Sequence, residues 1–235
     1  MEASRWPLVE DSREREALIL SLMASMFGAV IVLANVAAGV KLEVVLGLVV
    51  PAGTLAYAVT FIITDIVDEL WGKRRAVYIV WGGLAAEIIM LVLIGIEYRI
   101  PALNPSQEEL FKTVFSSQPR IVLASIIAYL VSQHHDVWAF WKLREFTRGR
   151  LLWLRNNAST MVSQLIDTTI FITIAFAGTV TGTVLVNMIL ATWLFKVLVA
   201  ALDTPVVYAG VSLIRNYVRQ DMDSLMQGRT GIIKQ

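Results

Sequence analysis

No charged residue stands between Glu16 and Lys41. A helix crosses a ~30 Å hydrocarbon core in about 20 residues, so Ala17–Val40 is long enough to span a bilayer once. Five further apolar runs follow: Val44–Ile63 with its polar tail Thr64–Glu69, Ala76–Ile96, Ile121–Trp141, Ser159–Val180 and Thr183–Leu213. Charged residues make up 17% of the 235 and fall almost wholly between these runs, while 57% are hydrophobic. With a mean hydropathy of +0.66, the chain reads as one whose solvent is lipid rather than water.

Helix is the expected form of every run. Open strands leave unpaired backbone groups in lipid, and no run shows the apolar/polar alternation of a barrel strand. The expected fold is therefore all-α: a bundle of six transmembrane helices over 17–213, with polar tails over 1–16 and 214–235. The mixed charges of the first sixteen residues and the length of the first run argue against a cleaved signal peptide. The last run is too long for one straight crossing and contains Pro205, which predicts a kink near Asp203-Thr204-Pro205.

Orientation follows from the basic residues, because short cytoplasmic loops accumulate Lys and Arg. Fifteen of the 20 lie in the N-terminal tail, the 2–3 loop (Lys73, Arg74, Arg75), the 4–5 loop and the C-terminal tail. Four lie on the other side (Lys41, Arg99, Lys112, Arg120), and Lys196 sits inside the last run. An even number of spans puts both tails with the basic loops, so both termini are expected in the cytoplasm and the protein in the plasma membrane. The long 3–4 loop holds Ser106-Gln107-Glu108-Glu109, a capping start for a short helix with Leu110, Phe111, Val114 and Phe115 on one face.

An ionisable side chain at mid-membrane costs at least ~2.5–3.5 kcal/mol, so chemistry is sought where polar residues interrupt apolar helix. Span two ends with Asp65, Asp68 and Glu69 at i, i+3 and i+4. Spans four and five carry one phrase twice, Ser-Gln-x-x-Asp-x-x-x-Phe, from Ser132 to Phe140 and from Ser163 to Phe171. Gln and Asp three apart project from one side of a helix about 4.5 Å along its axis. Two such helices can face one cavity, as polar sites on corresponding helices do in transporters. A carboxylate accepts two parallel N–H bonds and an amide both donates and accepts, which together suit the edge of a guanine-like ring. Candidate binding residues are Gln133, Asp136, Gln164 and Asp167, with Thr168, Asp65, Asp68, Phe140 and Phe171. Tyr57, Phe61, Trp138 and Phe176 are further aromatics that could stack on a ring or simply pack. Lys196 needs a carboxylate on another helix, with Asp136 and Asp167 the possible partners; it either neutralises a buried acid or takes part in a substrate or proton path.

Other classes carry weaker signals. No basic stripe alternates with aromatics, so no nucleic-acid partner is expected. With no cysteine there is no thiolate metal site, and His134-His135-Asp136 point in different directions around a helix, so neither metal nor cofactor is expected. Asn157-Ala158-Ser159 has the glycosylation pattern but falls on the cytoplasmic side. An intramembrane aspartyl protease would show a Gly-x-Gly-Asp phrase, which is absent. Small residues on span one (Ser21, Ser25, Ala29; Ala24, Gly28) allow close helix packing or the docking of a partner.

The run Thr64-Asp65-Ile-Val-Asp68-Glu69-Leu-Trp-Gly72-Lys73, then Arg120, Ala124-Ser125, Ala128-Tyr129 and Ser132-Gln133-x-x-Asp136-Val137, then Ser159 and Ser163-Gln164-x-x-Asp167-Thr168-x-x-Phe171, resembles the queuosine precursor transporters, also called the vitamin uptake transporter family. The resemblance covers about 60–210. It implies six transmembrane helices, a fold related to the substrate-binding components of energy-coupling factor transporters, and uptake of 7-deazaguanines such as preQ0 and preQ1. Gln133, Asp136, Gln164 and Asp167 match the family's polar positions, whereas His134 and His135 occupy places given no role. The alternative is a substrate-binding subunit for another vitamin-like heterocycle, working with an ATP-driven energy-coupling partner, since the chain lacks a G-x-x-x-x-G-K-[ST] loop of its own. Lipid and a small deazapurine are the expected partners, with a second copy of the chain as a further candidate.

Overall fold

The computed structural model describes residues 12–45, 47–147, 152–202 and 205–218. It is mostly helical: α1 (Ser12–Val40), α2 (Thr54–Trp71), α3 (Lys73–Glu97), α4 (Pro105–Phe115), α5 (Gln118–Phe146), α6 (Leu152–Phe176) and α7 (Gly182–Leu202), with a last helix, α8, over 205–218. Four stretches among the described residues are long and apolar enough to cross a membrane: Arg13–Val40, Lys73–Glu97, Pro105–His135 and Gly182–Ala200, with Thr160–Phe176 a shorter apolar helix. Large apolar side chains face outward along these helices, among them Leu22, Leu33, Ile89, Val92, Leu190 and Leu194. Water would not tolerate so much exposed apolar surface, and lipid does.

The second apolar run departs from the all-helix expectation. Val44–Ile63 is not one helix: its first part belongs to a β-hairpin, β1 (Leu42–Val45) against β2 (Leu48–Pro51), antiparallel with Leu42 opposite Pro51 and Val45 opposite Leu48. Short apolar runs do not distinguish strand from helix by periodicity, and the deciding signals were the β-branched residues and Gly47, Pro51 and Gly53 around them. Gly47, at φ +82, serves the tight turn. The hairpin is tolerated because it lies against protein: Val50 is buried, and β2 packs along α7. Gly53, at φ +83, then starts α2, and a Cβ there would collide with the Ala34 carbonyl oxygen and lie 2.7 Å from Ala34 Cα. Only glycine lets the chain enter α2 this close to α1.

Glycines also set the α1–α3 contact. A Cβ on Gly83 would sit 2.8 Å from Phe27 Cδ1, and Gly28 faces Ala86. Ser21, Ser25 and Ala29 lie on the exposed side, where each serine hydroxyl donates to the carbonyl four residues back, at 2.7 and 2.8 Å. Gly72 alone separates α2 from α3, so the basic triplet Lys73–Arg75 opens α3 rather than lying in a loop.

Helix ends are closed by side chains from other helices. Ser117 Oγ donates to Gly39 O at 2.9 Å and Gln118 Nε2 to Val36 O at 3.3 Å, capping α1 with the start of α5. Arg120 donates to Ile174 O and Ala177 O, each at 2.5 Å, closing α6. A cation at a helix C-terminus meets both orphan carbonyls and the negative end of the dipole. The short helix of the 3–4 loop forms as α4, capped not from Ser106 but by Asn104, whose Oδ1 accepts from Gln107 N at 3.0 Å. Helix flanks Pro205 on both sides, while Asp203 and Thr204, where the kink was expected, lie outside the described residues.

Two apolar cores result. One, at the hairpin end, joins Ala38, Ile121, Ala124, Ile172, Ala175, Phe176 and Met188. The other, at the end bearing the basic triplet, joins Phe27, Ile31, Ile63, Val67, Ala76 and Ile79.

Candidate functional site

Between the two cores the helices leave a chamber in two parts. The hairpin-end part spans about 530 Å³ of empty space, some of it open to the outside, bordered by α1, the Pro51–Thr54 turn, Tyr57, α5, α6 and α7. The basic-end part spans about 990 Å³, likewise partly open to the outside, between α1, α2, α3, α5 and α6. Tyr57, Ser125 and Asp167 line both. The basic-end part is the roomier of the two, and the hairpin-end part is close-fitting.

Asp167 stands at the junction. Its Oδ2 accepts from Lys196 Nζ at 2.7 Å, and its Oδ1 lies 3.4 Å from the Ser132 hydroxyl. Of the two possible partners named for Lys196, this is the one the fold supplies. The ammonium also lies 5.3 Å from the Tyr57 ring centroid, within the range of a cation–π contact. Both partners are largely withdrawn from solvent, with side chains 11% and 14% exposed. Such a pair gains little net stability, but removal of one partner leaves an uncompensated charge.

The repeated phrase brings α5 and α6 together through its serines as well as its acids. Ser132 of the first copy meets Asp167 of the second, and His135 Nδ1 lies 2.9 Å from Ser163 Oγ. His135, given no role in the sequence, thus bridges the two helices. Gln133 and Gln164 both line the basic-end part, with Asp65, Asp68 and Lys73. Thr168, Phe171 and Lys196 line the hairpin-end part. Asp136 and Phe140 fall on α5, but their side chains lie outside the described residues. Glu69 turns away from the chamber and pairs with Arg215 at 3.2 Å on the exposed surface. Among the aromatics, Tyr57, Phe61 and Phe171 face the chamber, Trp138 is exposed and Phe176 belongs to the core.

Several polar atoms at the chamber have no protein partner. Gln164 Oε1, Thr168 Oγ1 and Thr192 Oγ1 are buried and unbonded. Native interiors rarely leave such groups unpaired unless a ligand or water meets them. Thr192 and Asn35, which also line the hairpin-end part, were not anticipated. Each is a single polar residue in an apolar run, and attention to clustered polar phrases passed over them. Glu87, wholly buried on α3 and accepting from Asn35 Nδ2, was missed for the same reason, although a lone acid in Trp81–Met90 stands out as plainly as Lys196 does.

The sequence model of the family described as "Putative vitamin uptake transporter" matches residues 51–210. The chain belongs to the vitamin uptake transporter family. It is accordingly a multi-pass membrane transporter and not an enzyme, and the resemblance carried by the Asp65–Asp68 and Ser-Gln-x-x-Asp phrases holds at the level of the family. A protein of Bacillus subtilis (strain 168) named "Probable queuosine precursor transporter" is 35% identical over 179 residues, covering 75% of this chain and 78% of that one. A protein of the same name from Haemophilus influenzae is 25% identical over 185 residues, covering 72% and 74%. No solved structure matches the chain. The matched region of this vitamin uptake transporter runs from the end of β2 into α8. It holds both polar phrases and Lys196, and leaves out Asn35 on α1.

Proposed function

We propose that this transporter takes up queuosine precursors, 7-deazaguanines such as preQ0 and preQ1, and that Asp167, at the junction of the two parts of the chamber, is the centre of recognition. The reading draws support from the names of the two relatives and from chemistry. A 7-deazaguanine offers an amino group and a ring N–H side by side, which a carboxylate accepts in parallel, and a carbonyl that an amide or hydroxyl can meet. Gln164, Thr168 and Thr192 supply unspent polar atoms around Asp167, and Tyr57 and Phe171 supply rings on which a flat heterocycle can lie. Gln133, Asp65 and Asp68 act in the basic-end part, and Asp136 on the α5 copy of the phrase. Lys196 holds Asp167 charged and oriented until substrate arrives.

On this reading α1, α2, α3, α5, α6 and α7 make six crossings of the plasma membrane, with α8 continuing the last, so that both termini and the basic triplet are cytoplasmic and the hairpin lies outside. Substrate then enters past the hairpin and leaves through the wider basic-end part by alternating access. The fold related to energy-coupling factor substrate-binding components is part of this reading. The second reading is a binding subunit for another vitamin-like heterocycle coupled to an ATP-driven module, with which the absence of a G-x-x-x-x-G-K-[ST] phrase from this sequence is consistent.

The test is equilibrium binding of preQ0 and preQ1 to purified protein, with adenine, guanine, biotin and riboflavin as competitors. Asp167→Asn should weaken binding at least about tenfold, the worth of a hydrogen bond to a charged group. Displacement by biotin or riboflavin but not by guanine, or an affinity of the Asp167→Asn variant equal to that of the wild type, would reject the assignment.

A further inference from the structure

Glu87 is the most deeply buried acid among the described residues: 0% exposed, halfway along α3, with Gly83 and Leu84 one turn before it. One carboxyl oxygen accepts from Asn35 Nδ2 on α1, and among the described residues the other has no partner and no Lys, Arg or His pairs with the acid. Asp167 shows the contrast, since its charge is matched by Lys196. An ionised carboxylate buried without a cation is costly, so while the site is sealed as here Glu87 suits the neutral acid, and its proton can leave only at a step of the cycle that lets water reach it. Asn35, its one partner, lines the hairpin-end part of the chamber.

We propose that Glu87 carries the proton that accompanies substrate through this transporter, and that Asn35 links its protonation to the occupied chamber. The proposal rests on the transport reading above and adds its energy source. While Glu87 is charged it can only accept, so Asn35 must keep its amide nitrogen turned toward the acid and its carbonyl oxygen turned away, with one N–H left for other groups. Once a proton sits on Glu87, the carboxyl can donate as well as accept, and either face of the Asn35 amide is free to meet the ligand. A ligand carbonyl that meets the amide nitrogen in its turned-over orientation is held only with the proton in place, so proton and substrate favour each other's binding, a coupling that is reciprocal by thermodynamic necessity. The step is a simple addition: one proton joins a Glu87 oxygen from the outer side and leaves to the inner side when the chamber empties, and no bond of the substrate changes. The other titratable or charged groups facing this region are Tyr57 from α2, Tyr129 from α5, Asp167 from α6 and Lys196 from α7. The salt-bridged Asp167 and Lys196 hold compensating charges, which leaves Glu87 as the acid whose charge nothing offsets.

The experiment places the full chain in liposomes with radiolabelled preQ1 and compares counterflow, which needs no gradient, with accumulation under an inside-alkaline pH gradient. The wild type should show both, and the gradient should raise its accumulation several-fold. Glu87→Gln, which imitates the neutral acid, should keep counterflow within about twofold and lose the response to the gradient, while Glu87→Asp should keep part of that response. Infrared difference spectra of the wild type at neutral pH should show a protonated carboxyl band that shifts in Glu87→Asp and is absent in Glu87→Gln. Gradient-driven accumulation by Glu87→Gln at the wild-type level overturns the proposal, as does its loss of counterflow, or a wild type that exchanges preQ1 but ignores the gradient. If Glu87→Gln does not insert, absence of the wild-type band or of any gradient response in Glu87→Asp overturns it. Failure of wild-type counterflow itself strikes the substrate reading, and with it this proposal.

Discussion

The hairpin end and the basic end of the chamber share Asp167, Tyr57 and Ser125 yet are built from different materials. At the hairpin end much of the wall is backbone: the turn Pro51–Thr54 lies against α1, and the approach is so close that Gly53 has no room for a Cβ beside Ala34. The polar groups there are small and unspent, as in Thr168 and Thr192. At the basic end the wall is long side chains, with Asp65, Asp68, Lys73, Gln133 and Gln164 around a larger space. Rigid backbone and short hydroxyls suit close discrimination of a ring, whereas mobile charged side chains suit a vestibule that many polar solutes can enter. On the function proposed above, the hairpin end selects substrate and the basic end releases it.

Breaking the hairpin-end wall should have the largest consequence. Gly53→Val must place a branched side chain at φ +83 and against the Ala34 backbone, and should lower stability by more than about 3 kcal/mol, read as loss of monodisperse protein on size exclusion. Gly47→Ala, at nearly the same φ but with open space around it, should cost only about 1 kcal/mol. If both glycines tolerate substitution equally, close packing does not define that wall.

The junction comes next. Lys196→Met strands Asp167 and should cost about 3–5 kcal/mol while abolishing uptake. Adding Asp167→Asn to it should recover most of the thermal stability without restoring uptake. A single variant as stable and active as the wild type would remove the pair from the mechanism. At the basic end, Asp68→Asn should change affinity less than Asp167→Asn does, by under about tenfold, in the same binding assay. The smallest effect belongs outside the chamber: Arg215→Ala, which breaks a pair whose partners are 59% and 60% exposed, should alter the melting temperature by the equivalent of under about 1 kcal/mol.

Much of this was legible in the chain because lipid is an unforgiving solvent. An apolar run such as Ala17–Val40 or Thr183–Leu202 has few other uses, and a polar phrase set into such a run marks itself. The duplicated Ser-Gln-x-x-Asp phrase, Lys196 and the Asp65–Asp68 tail were visible on that ground, and Ser132, Gln133, Gln164, Asp167, Phe171, Lys196, Asp65 and Asp68 all line the chamber, while Ser163 meets His135 between the helices and the Asp136 and Phe140 side chains lie outside the described residues. The hairpin was not visible, since Val44–Pro51 satisfies the hydropathy of a helix and differs only in its glycines and β-branched residues. Asn35 and Thr192 escaped because a lone uncharged residue in an apolar run has neither charge nor periodicity to announce it, whereas Glu87 stood out in its run as Lys196 does in its own.

The order of apolar runs, the helical character of most of them and the two polar phrases are properties of single segments, and local hydropathy and backbone hydrogen bonding determine them without reference to the rest of the chain. Which carboxylate meets Lys196, which glycine a neighbouring backbone needs, and which acid is left without a cation depend on segments far apart in sequence. Asp167 and Lys196 lie 29 residues apart and Asn35 and Glu87 lie 52 apart. Only packing brings such groups within hydrogen-bonding distance, because the energy of a buried charge is set by what surrounds it and not by its place in the chain.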